Sequence, residues 1–387
     1  MNVFLVSAVR TPIGSFMGSL KSLSATKLGA VAIKGALDKA KISGEQVNEV
    51  YMGQVLQGGQ GQAPASQAAF DADIPTSVPC TTINKVCASG MKAIMLGSQT
   101  IQLGLADTIV AGGMESMSNA PFLVPRTLGF GNQSLKDSLV LDGLTNVGNE
   151  WLMGKCTEQV VAKHNITRQQ QDEYAISTYQ RTLSAIAEKR FSDEIVSVQV
   201  PGKKGNHTEF MADEEPFKVD FDRIPSLRAV FDKPGTITAA NASKLSDGAS
   251  AVVLVSKNKL DSCSSLKPLA RVVSFADANT DPIEFAAAPA LAIPIALQRA
   301  NLALKDIAKW ELNEAFSAVP LLANKILDIP LDKINVNGGS VALGHPLGSS
   351  GSRIVVTLIH SLKPGEFGCA AICNGGGGAS AIVIQRL

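Results

Sequence analysis

The chain is short of the features that mark several protein classes. Its longest apolar stretch, Phe285–Leu297, is 13 residues and holds two prolines, well under the ~20 residues that cross a bilayer as a helix. The N-terminus runs almost at once into Val3-Phe4-Leu5-Val6, without a charged leader, an apolar signal core or an Arg-rich amphipathic segment, so the chain reads as neither secreted nor membrane-bound. No charge predominates: 35 basic residues face 34 acidic ones, for a net charge of +1. A nucleic-acid binder or a protein of anionic membrane surfaces would show a basic excess. Six cysteines in 387 residues are too sparse for a disulfide scaffold and read as free thiols in a reducing compartment. Aromatic residues are only 5% of the chain, whereas glycines number 34, a balance suited to a large α/β enzyme with many tight loops.

Apolar runs of strand length alternate with stretches of helical period, which predicts βα units and a mainly parallel sheet. The strand candidates are Val3–Val9, Glu49–Leu56, Thr108–Ala111, Ala251–Ser256, Ala270–Phe275, Lys309–Leu312, Ala370–Cys373 and Ala381–Gln385. Helices are expected over Ala25–Ala40, Ser89–Leu103, Gln169–Lys189, Pro289–Ala300 and Gly351–Leu362. The two ends of the chain echo each other at an offset of 260: Ala32-Ile33, Ala36-Leu37, Ala40 and Ile42 map onto Ala292-Ile293, Ala296-Leu297, Ala300 and Leu302. Two similar halves would pack as a pseudo-dimer with a site at their junction. Between them, about 118–241 is more polar and suits an excursion over the surface.

Four places gather chemistry-bearing residues. Cys87, within Asn84-Lys85-Val86-Cys87-Ala88-Ser89-Gly90, stands at a helix start, where the dipole and free N–H groups are expected to lower a thiol pKa; a buried structural cysteine is the alternative. His345 lies in the constrained loop Gly344-His345-Pro346, and a purely structural imidazole is equally consistent. The glycines around it lack the Lys-Ser/Thr of a phosphate loop. Cys373 ends a strand and enters Gly375-Gly376-Gly377-Gly378, where backbone N–H groups could converge on an oxyanion. Cys369 lies four residues away in the same strand, without a second Cys pair at zinc spacing. Asn313, after the strand Lys309–Leu312, points where α/β sites form or else caps the next helix.

Together these blocks resemble the signature blocks of the thiolase family, and the similarity runs from Val9-Arg10-Thr11-Pro12 to the C-terminus. Gly112-Gly113-Met114-Glu115-Ser116-Met117-Ser118 and Thr238-Ala239-Ala240-Asn241-Ala242-Ser243 are similar to the mitochondrial-type acetyl-CoA acetyltransferase subgroup. The resemblance implies the thiolase fold, two βαβαβαββ halves in a five-layered αβαβα core, assembled as a homodimer or a dimer of dimers. The expected division is 1–117 with 247–266 for the first half, 118–246 for an inserted loop domain that binds coenzyme A, and 267–387 for the second half.

The activity so implied is the reversible Claisen condensation of two acetyl-CoA to acetoacetyl-CoA and CoA, with no covalently bound cofactor. A broad-chain 3-ketoacyl-CoA thiolase is the nearest alternative, and a non-catalytic acyl-CoA binder a more distant one. By resemblance Cys87 accepts the acyl group, His345 activates it, Cys373 moves the α-proton, Asn313 holds an oxyanion water, and Gly375 donates a backbone N–H to the acyl oxygen. Coenzyme A would meet Ser243, Arg223, Lys218, Val219, Asp220, Tyr179, Leu152 and Phe316. A potassium site is implied for Tyr179 with the backbone carbonyls of Ala239, Ala240, Ala242 and Val341, although Tyr179 could equally be a packing residue. Two positions depart from the family pattern: Leu152 stands where a histidine usually precedes Met-Gly, and Ala286 follows Phe285 where the subgroup has proline. The second leaves open the use of 2-methylacetoacetyl-CoA or propionyl-CoA. Both the mitochondrial matrix and the cytoplasm are compatible with such a chain.

Overall fold

The computed structural model describes residues 2–127, 129–202 and 205–387. The first half comprises β1 (Val3–Arg10), α1 (Ala25–Ala40), β2 (Glu49–Gly53), α2 (Pro64–Asp71), β3 (Cys80–Ile83), α3 (Ser89–Gln102) and β4 (Thr108–Ser116). An excursion carrying α4 (Met153–Lys163) and α5 (Arg168–Ala187) follows before the chain returns in β5 (Ser246–Ser256). The second half is β6 (Ala270–Asn279), α6 (Pro289–Ala300), β7 (Ile307–Leu312), α7 (Ala318–Leu327), α8 (Leu347–Ser361), β8 (Phe367–Asn374) and β9 (Gly378–Arg386).

The principal strands run in the order β7-β8-β9-β6-β1-β5-β4-β2-β3. The echo in the sequence is an echo in topology. In the first half β3, β2 and β4 are parallel, and β5 and β1 then add antiparallel. In the second, β7 and β8 are parallel, β9 and β6 add antiparallel, and a parallel bridge from Trp310 to Ile334 stands in the place of β3. A three-residue antiparallel pairing of β1 with β6 joins the halves edge to edge. The sheet is therefore not mainly parallel, contrary to expectation. Strands buried on both faces read as continuous apolar runs whichever way they point, and the turn over 375–377 makes β8 and β9 a hairpin.

Alternation along the strands sets the layers. On β5, Ala249, Ala251, Val253 and Val255 face a core shared with α1 and α2, while Val252 and Leu254 face a central core shared with α3 and α8. Residues of β8 and β9 divide likewise: Ala370, Ile372, Ile382 and Ile384 join the central core, and Ala371, Ala381 and Val383 pack on α6. The result is five layers, with α3 and α8 in the middle. Glycines let that middle layer close. A Cβ on Gly90 would lie 2.5 Å from Ser352 Oγ and 2.9 Å from Gly348 O; on Gly351, 2.6 Å from Met91 N; and on Gly113, 2.0 Å from Gly348 O. Gly90→Val should accordingly cost about 3 kcal/mol of stability, read by chemical denaturation. A loss too small to measure would contradict the close approach of α3 and α8.

Candidate active site

The two halves each place a chemistry-bearing residue at an equivalent point. Cys87 stands two residues before α3 and His345 two residues before α8, so each half contributes its residue from the same point of its fold. The loop before Cys87 is fixed by Val86 at φ 48°, by its N–H donating to Asn84 Oδ1 at 3.0 Å, and by Lys85 N–H donating to Ser89 Oγ at 2.8 Å. Cys87 is buried. The backbone N–H of Gly375, which arrives from the β8–β9 turn, and the residue's own N–H favour its thiolate. Burial outweighs these donors and pushes the thiol up to about 12, with the negative charge of Glu115 adding to the effect. The expected lowering is thus overturned, because desolvation of a thiolate costs more here than the donors return. Cys87 needs a base to ionise.

His345 is held as an uncharged imidazole. Burial, and next the positive charge of Arg353, hold its pKa down at about 3, so the ring is neutral. Ser350 Oγ donates to Pro346 O at 3.0 Å and lies 2.5 Å from His345 Nδ1. With its hydrogen committed, that hydroxyl accepts from Nδ1–H, which leaves Nε2 with a free lone pair. Asn313 Nδ2 faces Nε2 at 3.4 Å. The amide of Asn313 is oriented by Ser340 Oγ, which donates to its Oδ1 at 2.7 Å and accepts from Arg353 Nη2 at 2.8 Å. Asn313 therefore faces His345 and does not cap α7, whose N-cap is Ser317. The neighbouring Glu314 is held by Tyr174, Thr178, Asn335 and the N–H of Val341. Its carboxylate is part of the floor that fixes this loop.

Cys373 is fully buried at the end of β8, in an apolar cluster with Phe285, Ala286, Ala315 and Phe316. Burial and the charge of Cys87 both push its thiol upward. The two sulfurs are thus close enough that ionising one opposes ionising the other. Glu115 accepts the N–H groups of Val55, Leu56 and Gly348, at the start of α8, and burial pushes it up to about 7. Ser350, Ser340, Arg353 and Glu115 were not singled out in the sequence. Only the spacing from His345 to Ser350, which puts the serine in the first turn of α8, offered a signal.

Residues expected to meet coenzyme A fall in two adjoining cavities. One, of about 200 Å³, is lined by Leu152, Ser243, Phe316 and His345, with Phe231 and Leu347. The other, of about 220 Å³, is lined by Lys218, Val219, Asp220 and Arg223, together with Tyr179, Ala239 and Ala240. Lys244 lines both. Tyr179 and Val341 share a small apolar cluster beside the second cavity, and Ala242 lies at the first.

Residues 3–258 match the family described as "Thiolase, N-terminal domain", and residues 266–386 match "Thiolase, C-terminal domain". The chain belongs to the thiolase family. This thiolase is 54% identical to acetyl-CoA acetyltransferase, mitochondrial, of Bos taurus over all of its length and 92% of the relative's. It is 53% identical to the Homo sapiens protein of the same name, over all of this chain and 90% of the relative. A crystal structure of Acat5 thiolase from Ascaris suum in complex with coenzyme A superposes with a TM-score of 0.96, at 47% identity and complete coverage of both chains. Several element bounds differ from expectation in this thiolase: the strand from Thr108 runs on to Ser116, and the strand that ends at Ser256 begins at Ser246. The helix after His345 begins at Leu347 rather than Gly351, and the strand from Glu49 stops at Gly53.

A neutral His345 has a measurable consequence. Its folded pKa lies below the unfolded value of ~6.5, so unfolding takes up a proton on acidification and this group's contribution to stability declines below that pH. Nitrogen NMR of labelled imidazole should show Nδ1 protonated and Nε2 bare from pH 8 down to pH ~5. An imidazole that titrates near 6.5 would contradict the assignment.

Proposed function

We infer that this thiolase is an acetyl-CoA C-acetyltransferase, joining two acetyl-CoA into acetoacetyl-CoA and CoA, and cleaving acetoacetyl-CoA in reverse, through an acyl-enzyme on Cys87. What supports the reading is a pair of mutually opposed thiols beside the Gly375 N–H, with a neutral imidazole whose Nε2 is unprotonated at the equivalent helix start of the other half. In the first half-reaction Cys87 gives its proton to His345 Nε2, and its sulfur attacks the thioester carbonyl. The departing CoA thiolate takes the proton of Cys373. Burial is the main cause that keeps Cys373 protonated, and acylation removes the other, any charge on Cys87, so the second thiolate forms more readily once the acyl group is in place. In the second half-reaction Cys373 takes the α-proton of the incoming acetyl-CoA. The enolate oxygen meets imidazolium Nε2–H and a water on Asn313, its carbon attacks the acyl group, and Cys87 leaves to recover its proton from His345. The acyl oxygen is received by the N–H groups of Cys87 and Gly375.

Several features support the finer assignments. Lys218 and Arg223 suit the phosphates of coenzyme A, and Ser243 and Leu152 suit its pantetheine arm. All four belong to the inserted segment 118–246, which we assign as the coenzyme A-binding loop domain. Ala286 packs in the cluster with Cys373, and so small a side chain beside that thiol supports use of 2-methylacetoacetyl-CoA. The exposed apolar side chains Phe122, Leu135 and Val147 support assembly of copies into a dimer of dimers. The mitochondrial names of the relatives support a place in the matrix, and among the described residues no helix is long and apolar enough to cross a membrane. Potassium is not part of the proposal, because Lys244 donates to the carbonyls of Ala239 and Ala242.

Steady-state thiolysis of acetoacetyl-, 2-methylacetoacetyl- and 3-ketohexadecanoyl-CoA tests this reading, with Cys87→Ser as control. Turnover of the first two and not the third is expected, and the control should be inactive. Strong turnover of the long chain would assign a broad-chain thiolase instead, and an unaffected control would remove Cys87 from the chemistry. Asn313→Ala should lower kcat by about 100-fold, the scale of one oxyanion donor, with little change in the CoA KM. An unchanged kcat would take Asn313 out of the oxyanion site.

A further inference from the structure

The segment Thr238–Lys244 is folded around its own polar atoms. Thr238 N–H donates to Asn241 Oδ1, Ala240 N–H to Thr238 Oγ1, and Ala242 N–H to Thr238 O. That arrangement leaves carbonyls turned toward Lys244. Its Nζ donates to Ala239 O and, at 2.9 Å, to Ala242 O, and it stands 5.8 Å from the centroid of the Tyr179 ring. An ammonium is a compact charge with three donors, and two of them are spent on carbonyls that the family resemblance would give to potassium. The residues do not fit that ion, because a second monovalent cation on the same carbonyls would be repelled at contact distance.

We propose that Lys244 is a built-in monovalent cation that shapes the coenzyme A-binding segment of this chain, so that potassium is not required. The lysine is well connected for that role. Its side chain lines both cavities assigned to coenzyme A. Its backbone carbonyl accepts the N–H of His345 at 2.9 Å, and the preceding Ser243 N–H donates to Ala315 O at 3.1 Å, two residues from Asn313. The backbone of this segment thereby joins the loops that hold the imidazole and the oxyanion amide, and the ammonium of Lys244 holds the segment's own carbonyls in place. Burial brings its ammonium down to about 8, with the charge of Glu215 acting the other way, so the group is mostly charged at neutral pH. Lys244 touches none of the reacting atoms and is a positioning residue.

The inference builds on the acyl-CoA reading, but its first readout needs no substrate. Thermal unfolding is measured in potassium chloride and in tetramethylammonium chloride at equal ionic strength, followed by the KM for acetoacetyl-CoA in each. The natural chain should give the same Tm and the same KM in both salts. Lys244→Ala should melt lower in tetramethylammonium and show a KM raised about tenfold, the worth of a hydrogen bond to a charged group. Potassium should restore both. Lys244→Met, which keeps the aliphatic stem, should behave as Lys244→Ala does, locating the effect in the charge. A potassium-dependent Tm in the natural chain would overturn the proposal. So would a variant that matches the natural chain without potassium, or one whose deficit potassium does not repair. Absence of thiolysis with these potassium effects on Tm present would instead count against the acyl-CoA reading alone.

Discussion

Two helices in the middle layer approach more closely than side chains allow, and the site exists because they do. Gly90 and Gly351 face each other across α3 and α8, while Gly113 admits the carbonyl of Gly348 beside β4. Any Cβ at these points would part the helices, and Cys87 and His345 ride on the residues just before them. Duplication of one βα plan in both halves makes the two N-termini equivalent, and antiparallel pairing of β1 with β6 sets the halves so that these ends meet. Packing on the scale of the whole chain thus determines geometry on the scale of one proton transfer.

Burial is the second constraint. The same exclusion of water raises both thiols and lowers the imidazole, so the resting site is neutral throughout. A neutral site with a committed tautomer has little reorganisation to undergo as charge develops. The groups that keep it committed are polar and equally buried: Ser350 on Nδ1, and Ser340 with Arg353 behind Asn313. Glu115 holds the start of α8 and Glu314 the loop after β7, each by several donors. A neutral site also explains why two sulfurs are useful, since only one can bear charge at a time.

Much of this was legible in the sequence for identifiable reasons. Long periodic helices such as α1 and α6 declare themselves, and the same residues exposed the duplication. Cys87, His345 and Cys373 stood out because each lies beside small or glycine residues at the end of an element, and Asn313 because it is a polar residue just past a strand. The direction of strands was not legible, since β5, β8 and β9 are buried on both faces and differ from parallel strands only in what connects them. β3 is four partly exposed residues, and α2, α4 and α7 were not anticipated. The helix-start argument for a reactive Cys87 failed because burial is a property of the assembled layers, not of the local segment. Lys244 was invisible for the same reason. In sequence it is one lysine after Ser243, and only folding turns it back onto the carbonyls of Ala239 and Ala242.

The division of labour between the two thiols is the centre of this account. It is tested most directly by incubating the chain with acetyl-CoA in deuterated water, then mapping the acetyl group by peptide mass and following exchange of the acetyl-CoA methyl hydrogens. Cys373→Ser should still acquire the acetyl group on Cys87, more slowly for want of the proton given to the departing CoA, yet leave the methyl hydrogens unexchanged, whereas the natural chain should show both events. An acetyl group found on Cys373, or methyl exchange that persists without its sulfur, would contradict the assignment.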